Sequence, residues 1–254
     1  MTKFLEVMAY HGWGFTPDCW QAWQARFLSL GVCQWQSYDR GYGVDSPAKR
    51  LREPQIPQFL RADSHKVVLT HSYGLHWWAL DWQASALFAQ PDLLVIFGGF
   101  QHFHPSEPKA KRRSQRVLRQ MLTQLEQAPL TVLRQFYQNC DYPEPLAGSP
   151  MQSLDHTRLL NDLQALDQAQ LDLRPLSQIP RIVIFQGLQD QIVPVAQAEP
   201  LWEQVRCSRE DPTRSVPSAA YQYIPLTGGH ALPFTHLDAC WSRLQPMLSA
   251  IRAV

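Results

Sequence analysis

No apolar run in the sequence approaches the ~18 residues that a membrane-spanning helix needs. The opening residues, MTKFLEVMAYHGWG, lack the basic n-region, long apolar stretch and small-residue cleavage site of a secretory signal. A cytoplasmic protein is therefore expected. Cysteine is sparse and unpaired in pattern: Cys19, Cys33, Cys140, Cys207 and Cys240 form no CxxC, so neither a zinc site nor a disulfide framework is expected. An excess of one charge is missing as well. The 254 residues carry 23 basic and 22 acidic side chains, which argues against a nucleic-acid protein held by global charge. With 45% hydrophobic residues the chain is also unlike a disordered one. There is no internal repeat and no low-complexity linker, although glutamine is frequent.

What is present is an alternation of short apolar runs and helical patterns. Strands are expected at Phe4–Tyr10, Trp35–Tyr38, Lys66–Thr70, Asp92–Phe97, Arg181–Phe185 and Ala220–Ile224. The continuous runs VVL, LLVIF and IVIF suit strands buried on both faces of a parallel sheet. Amphipathic segments at Pro17–Leu30, Ser72–Phe88, Ala196–Val205 and Leu237–Ala250 fall between them. The pattern predicts an α/β doubly wound fold. From Gly98 to Pro180 the rhythm breaks, with helical stretches at Lys111–Gln127, Leu130–Asn139 and Met151–Leu166 and no convincing strand. That length is too great for a plain connection. The expected organisation is a core of residues 1–98 and 181–254 with a helical cap of residues 99–180. Ligand crevices in open α/β sheets lie at the carboxyl ends of the strands, where such a cap would form a roof; a helical subdomain away from the site is the alternative.

Chemistry-bearing residues follow four of the strands. The third runs into Thr70-His71-Ser72-Tyr73-Gly74 and straight on into a helix. A serine on such a sharp turn has its Oγ raised above the sheet edge, although a serine capping a helix would read the same locally. Thr70 stands where the GxSxG pattern has its first glycine, and Gly74 supplies the second. The first strand ends in His11-Gly12-Trp13-Gly14, whose glycines let the backbone present an N–H. Acyl transfer needs two such donors for its oxyanion, and Trp13 and Tyr73 are the candidates. The fifth strand leads to Asp190, placed to orient a histidine or merely to cap a turn. The last leads to Thr227-Gly228-Gly229-His230, with His71, His76 and His236 as rival bases. The conjunction decides among these alternatives: the order Ser72, Asp190, His230, each just past a different strand, is the α/β-hydrolase arrangement. In it Ser72 is the nucleophile, His230 the general base and Asp190 its orienter, with no cofactor and no metal required.

Along nearly its whole length the chain resembles the α/β-hydrolase superfamily, through HGWG, DRGYG (Asp39–Gly43), HSYG, GLQDQIVP and GGHALPF in family order. Within it the resemblance is closest to the carboxylesterases of biotin synthesis that demethylate pimeloyl-acyl carrier protein methyl ester. The residues behind this are HGWG followed by Trp20 and Trp23, the cap segment PLTVLRQFYQ (Pro129–Gln138), and the approach to the acid-bearing strand, Leu159–Gly187. The resemblance implies an esterase acting on an acyl group carried by an acidic carrier protein. Because the first predicted strand leads directly to HGWG, the antiparallel hairpin of many relatives is not expected; a sheet of about six strands is.

Pro105–Arg119 concentrates Lys109, Lys111, Arg112, Arg113, Arg116 and Arg119 against one acid, Glu107. Arg112, Arg116 and Arg119 share a helix face at i, i+4, i+7, and Arg134 adds a cation on the next helix. Such a patch can steer an acidic partner while net charge stays near zero, and under the resemblance Arg112, Arg113, Arg116, Arg119 and Arg134 are expected to dock the carrier protein. A solvated helix face is the alternative. Nucleic acid is not expected, for want of a recognition module, and a monomer is. Phe103, Leu118, Met121, Leu122, Phe136 and Tyr137 are candidates either for an acyl tunnel or for plain packing. Two other readings stay open: a broad short-chain esterase or thioesterase without a carrier protein, and a hydrolase scaffold acting as a binding module.

Overall fold

A computed structural model describes residues 4–31, 33–43, 58–84, 90–143, 154–207 and 220–252. Six strands form one sheet, β1 (Leu5–Tyr10), β2 (Cys33–Ser37), β3 (His65–His71), β4 (Leu93–Phe97), β5 (Ile182–Gly187) and β6 (Tyr221–Leu226), in the order β2-β1-β3-β4-β5-β6. Every pairing is parallel. The apolar runs make this possible, because in a sheet covered on both sides successive side chains enter different cores. Met8, Tyr10, Val68, Leu94, Ile96, Ile182 and Ile184 join one core, while Val7, Ala9, Val67, Leu69, Val95, Phe97, Val183 and Phe185 join the other.

α1 (Gln21–Leu28) and α8 (Leu237–Arg252) cover the second core, where Trp20 and Trp23 pack against Phe97 and Trp241 packs against Trp23 and Phe27. α2 (Gly74–Ala84) and α6 (Val195–Cys207) cover the first, burying Trp77, Trp78 and Leu201. Trp77, Trp78 and the partly buried Trp82 are packing residues, as their helical spacing suggests. The strands differ from the sequence reading by one or two residues at their ends; β3 runs on to His71 because its register with β4 continues to His71–Phe97. Part of the helix expected after Ser72, and the start of the one expected from Met151, lie outside the described residues.

Between β4 and β5 the chain forms α3 (Pro108–Gln127), α4 (Pro129–Asn139) and α5 (His156–Ala165), with no named strand among the described residues. Glu107 caps α3 by accepting from the N–H groups of Lys109 and Ala110 at 2.8 and 2.6 Å, so the one acid of the basic segment is occupied by its own helix. Polar ties anchor these helices to the core. Arg40, in the Asp39–Gly43 turn, donates from Nε and Nη2 to Asp162 on α5 at 2.7 and 2.5 Å. The Tyr42 hydroxyl donates to the same carboxylate at 2.8 Å, and Arg158 reaches back to the Arg40 carbonyl at 2.6 Å. A short helix, α7 (Leu232–Thr235), follows β6.

Candidate active site

Parallel pairing places the carboxyl ends of β1, β3, β4, β5 and β6 at one edge, and each sends a loop into the same region. After β3, Ser72 adopts φ +54°, a left-handed conformation that a non-glycine residue takes only under strain. Its N–H donates to the Phe97 carbonyl at 2.9 Å. The turn depends on Gly74: a Cβ there would sit 2.5 Å from the carbonyl oxygens of Tyr10 and His11. Thr70 needs no such space. It is fully buried in β3 and its hydroxyl donates to the Val95 carbonyl at 3.3 Å, so the missing first glycine leaves the turn intact.

His230 and Asp190 meet across two loops, with Nδ1 of the imidazole 2.7 Å from Oδ2 of the carboxylate and both side chains sealed from solvent. The other oxygen, Oδ1, accepts the N–H groups of Ile192 and Val193 at 2.9 and 2.8 Å. An acceptor-only carboxylate facing Nδ1 fixes the proton there and leaves Nε2 as the basic atom. Nε2 has no hydrogen-bond partner among the described residues. Bonds between base and nucleophile commonly tighten only when substrate binds. The rivals are engaged elsewhere: His71 Nε2 contacts the His230 carbonyl at 3.1 Å, His76 Nε2 the Phe100 carbonyl at 3.0 Å, and His236 Nδ1 the Thr235 hydroxyl at 2.9 Å.

The loop after β1 approaches the serine through Gly12, where a Cβ would lie 2.9 Å from Ser72 Cβ. His11 fixes the Gly12–Trp13 peptide. Its Nε2 accepts the Arg40 N–H at 3.3 Å, so Nδ1 carries the proton and donates to the Gly12 carbonyl at 2.9 Å. Burial pushes the His11 pKa down to about 4, which keeps the ring in this neutral form. The N–H groups of Trp13 and Tyr73 donate to no acceptor among the described residues. Both residues line one pocket with Ser72.

That pocket measures about 640 Å³. Phe100, Leu163, Leu166 and Val132 line it together with the expected Phe103, Leu118, Met121 and Phe136. Leu122 and Tyr137 do not: Leu122 packs against the core and the Tyr137 hydroxyl donates to the Gly14 carbonyl. Arg112, Arg113, Arg116 and Arg119 are all exposed on α3, and Arg134 on α4. Of these only Arg113 lines the pocket, and it is the only charged side chain among the described residues that do. Two site features escaped the sequence reading. Gly98, at φ +55°, makes room for the pair, since a Cβ would lie 3.1 Å from His230 Nδ1 and 3.4 Å from Asp190 Oδ2; the doublet Gly98-Gly99 after β4 was its signal. Gln186, buried at the end of β5, braces the acid loop by donating to the Val193 carbonyl at 2.9 Å, and nothing in its sequence context marked it.

No protein-family model matches the chain, and no curated protein sequence does. Solved structures do. An esterase from Exiguobacterium antarcticum superposes with a TM-score of 0.69 at 16% identity, covering 99% of this chain and 93% of its own. A putative aryl esterase from Burkholderia cenocepacia gives 0.66 at 15% identity, with 100% and 93% covered. The RedJ thioesterase of the prodiginine pathway in Streptomyces coelicolor gives 0.59 at 16% identity, with 94% and 89% covered. The chain has the α/β-hydrolase fold.

Proposed function

We propose that the chain is a serine hydrolase of carboxylic esters or thioesters. The observation that carries this is the sealed 2.7 Å contact between His230 and Asp190, at the sheet edge where Ser72 occupies its left-handed turn. Nε2 of His230 takes the proton of Ser72 as Oγ adds to the acyl carbonyl. The N–H groups of Trp13 and Tyr73 receive the oxyanion, and the position of Tyr73 at the start of α2 adds the positive end of that helix. His230 then gives its proton to the departing alcohol or thiol. Water repeats the sequence on the acyl-enzyme and releases the acid. Esterases and a thioesterase among the structural neighbours support this reading.

The substrate we favour is the methyl ester of pimeloyl-acyl carrier protein, with water giving methanol and the free ω-carboxylate. The motif resemblance supports it, as do the apolar floor of the pocket and the cations of α3. Arg113 at the pocket wall and the exposed Arg112, Arg116, Arg119 and Arg134 suit an acidic carrier and its phosphate-linked arm. Reach would choose between the two acyl bonds, bringing the distal methyl ester rather than the carrier thioester to Ser72. Methanol release from methyl pimeloyl-acyl carrier protein tests this, with Ser72→Ala in parallel. Release by the unmodified protein alone is expected, and the double variant Arg112→Glu/Arg116→Glu slows it while leaving p-nitrophenyl acetate turnover unchanged. Turnover of p-nitrophenyl acetate without methanol release would favour a short-chain esterase with a solvated basic face.

A further inference from the structure

The cap helix α4 touches both loops that carry the chemistry. Near its end the Tyr137 hydroxyl donates to the Gly14 carbonyl at 2.5 Å, a buried contact. Gly14 follows Trp13 directly and sits at φ +77°, and a Cβ there would lie 3.1 Å from the Phe136 ring. Phe136 also meets the Trp13 ring edge-on, with centroids 4.8 Å apart. Where the helix ends, the Cys140 carbonyl accepts the N–H of Ala231, the residue after His230, at 2.8 Å. Gly229, on the other side of His230, has no room for a side chain, since a Cβ would come 2.5 Å from Asp141 Cβ. A second tether reaches the same loop from α5: the Trp13 indole N–H donates to the Leu159 carbonyl at 2.8 Å.

We propose that α4 is a fixed bracket setting the Trp13 N–H in register with His230, and that Tyr137 is a positioning residue for that oxyanion donor. The inference rests on the esterase reading above. Tyr137 is not among the residues that line the pocket, and its hydroxyl is turned to the Gly14 carbonyl instead. Its hydroxyl acts on Gly14 alone among the described residues. Gly14 has no side chain to hold its own conformation, so without the hydroxyl its carbonyl loses its partner and the loop is held less firmly, by the Trp13–Leu159 tether. The Trp13 N–H, one residue away, then drifts from where negative charge develops. Such a shift weakens transition-state binding and leaves ground-state binding nearly untouched.

The experiment is steady-state hydrolysis of p-nitrophenyl acetate by Tyr137→Phe, with inhibition by a small boronic acid, which adds to a serine as a tetrahedral anion. A fall in kcat of about tenfold is expected, with KM within about twofold and the inhibition constant rising in step with the loss of kcat/KM. Trp13→Phe keeps an aromatic side chain but removes the indole N–H and its tether to Leu159, and should likewise lower kcat, which covers the case of a poorly folding Tyr137→Phe. Unchanged kcat in both variants, or a rise in KM alone, would overturn the bracket. An unmodified protein that neither turns over ester nor binds the boronic acid would overturn the esterase reading instead, and the bracket with it.

Discussion

Asp190 shows how single atoms set the proposed chemistry. Its Oδ1 is bound to two backbone N–H groups, while Oδ2 faces Nδ1 of His230 at 2.7 Å and also accepts a longer contact from Gln186 Nε2 at 3.4 Å. Asp190→Asn would keep Oδ1 as the acceptor of those amides and turn an N–H₂ toward the imidazole. Nδ1 must then accept, the ring proton moves to Nε2, and the base for Ser72 is lost. A fall in kcat of about four orders of magnitude is expected with thermal stability nearly unchanged, read by ester hydrolysis beside a melting curve. A loss below about tenfold would remove Asp190 from the account. Ser72, Asp190 and His230 stood out in the sequence as candidates because each falls just past a different predicted strand. Gly98 and Tyr137 did not. The need for a glycine at Gly98 arises from a histidine 132 positions later, and the Tyr137 bond spans 123 residues. Locally, the Gly98-Gly99 doublet hints at the first contact, and nothing records the second.

Elements tell the same story with different exceptions. The strands were readable because β1, β3, β4 and β5 are buried on both faces and, in β3, β4 and β5, carry the continuous apolar runs VVL, LLVIF and IVIF. β2 and β6 are only half-buried edges, and their sequences, CQWQS and YQYIPL, carry a weaker signal. Helices α3, α4 and α5 were readable from periodicity, but their attachment was not. Asp162 gave no warning that it is the buried anchor for Arg40 and Tyr42, since an aspartate on an amphipathic helix ordinarily faces water. Asp162→Asn leaves the Arg40 guanidinium facing a neutral amide. A quarter of that side chain is exposed, so the cost should fall at the low end for broken buried pairs, about 3 kcal/mol. Urea unfolding checks this, and a change under about 0.5 kcal/mol would show that α5 is held by packing alone.

At the scale of the whole molecule, the buried histidines make stability depend on pH. Burial pushes His11 and His76 down to about 4 and His71 well below its usual value. All three are therefore neutral in the fold, whereas the unfolded chain binds their protons from about pH 6.5 downward. Their contribution is complete above that pH and is lost as pH falls through about 6.5 toward 4. The loss reaches about 2 kcal/mol at pH 5 for His11 and for His76, and His71 adds to it in the same direction. Asp81, which burial raises to about 6, works the other way over the same range, but it is one partly exposed group against three sealed ones. Melting temperatures measured from pH 8 to pH 5 should drop steeply below about 6.5; a flat profile would mean that the histidines are not neutral as described.

The central claim is that Ser72 is a nucleophile activated by the His230–Asp190 pair, and covalent labelling tests it most directly. The protein is incubated with a fluorophosphonate, its intact mass is measured, and the adduct is located by peptide mapping. A single adduct on Ser72 is predicted, absent from Ser72→Ala and formed at least about a hundredfold more slowly by His230→Ala. A protein that stays unlabelled, or is labelled at another residue, would contradict the account.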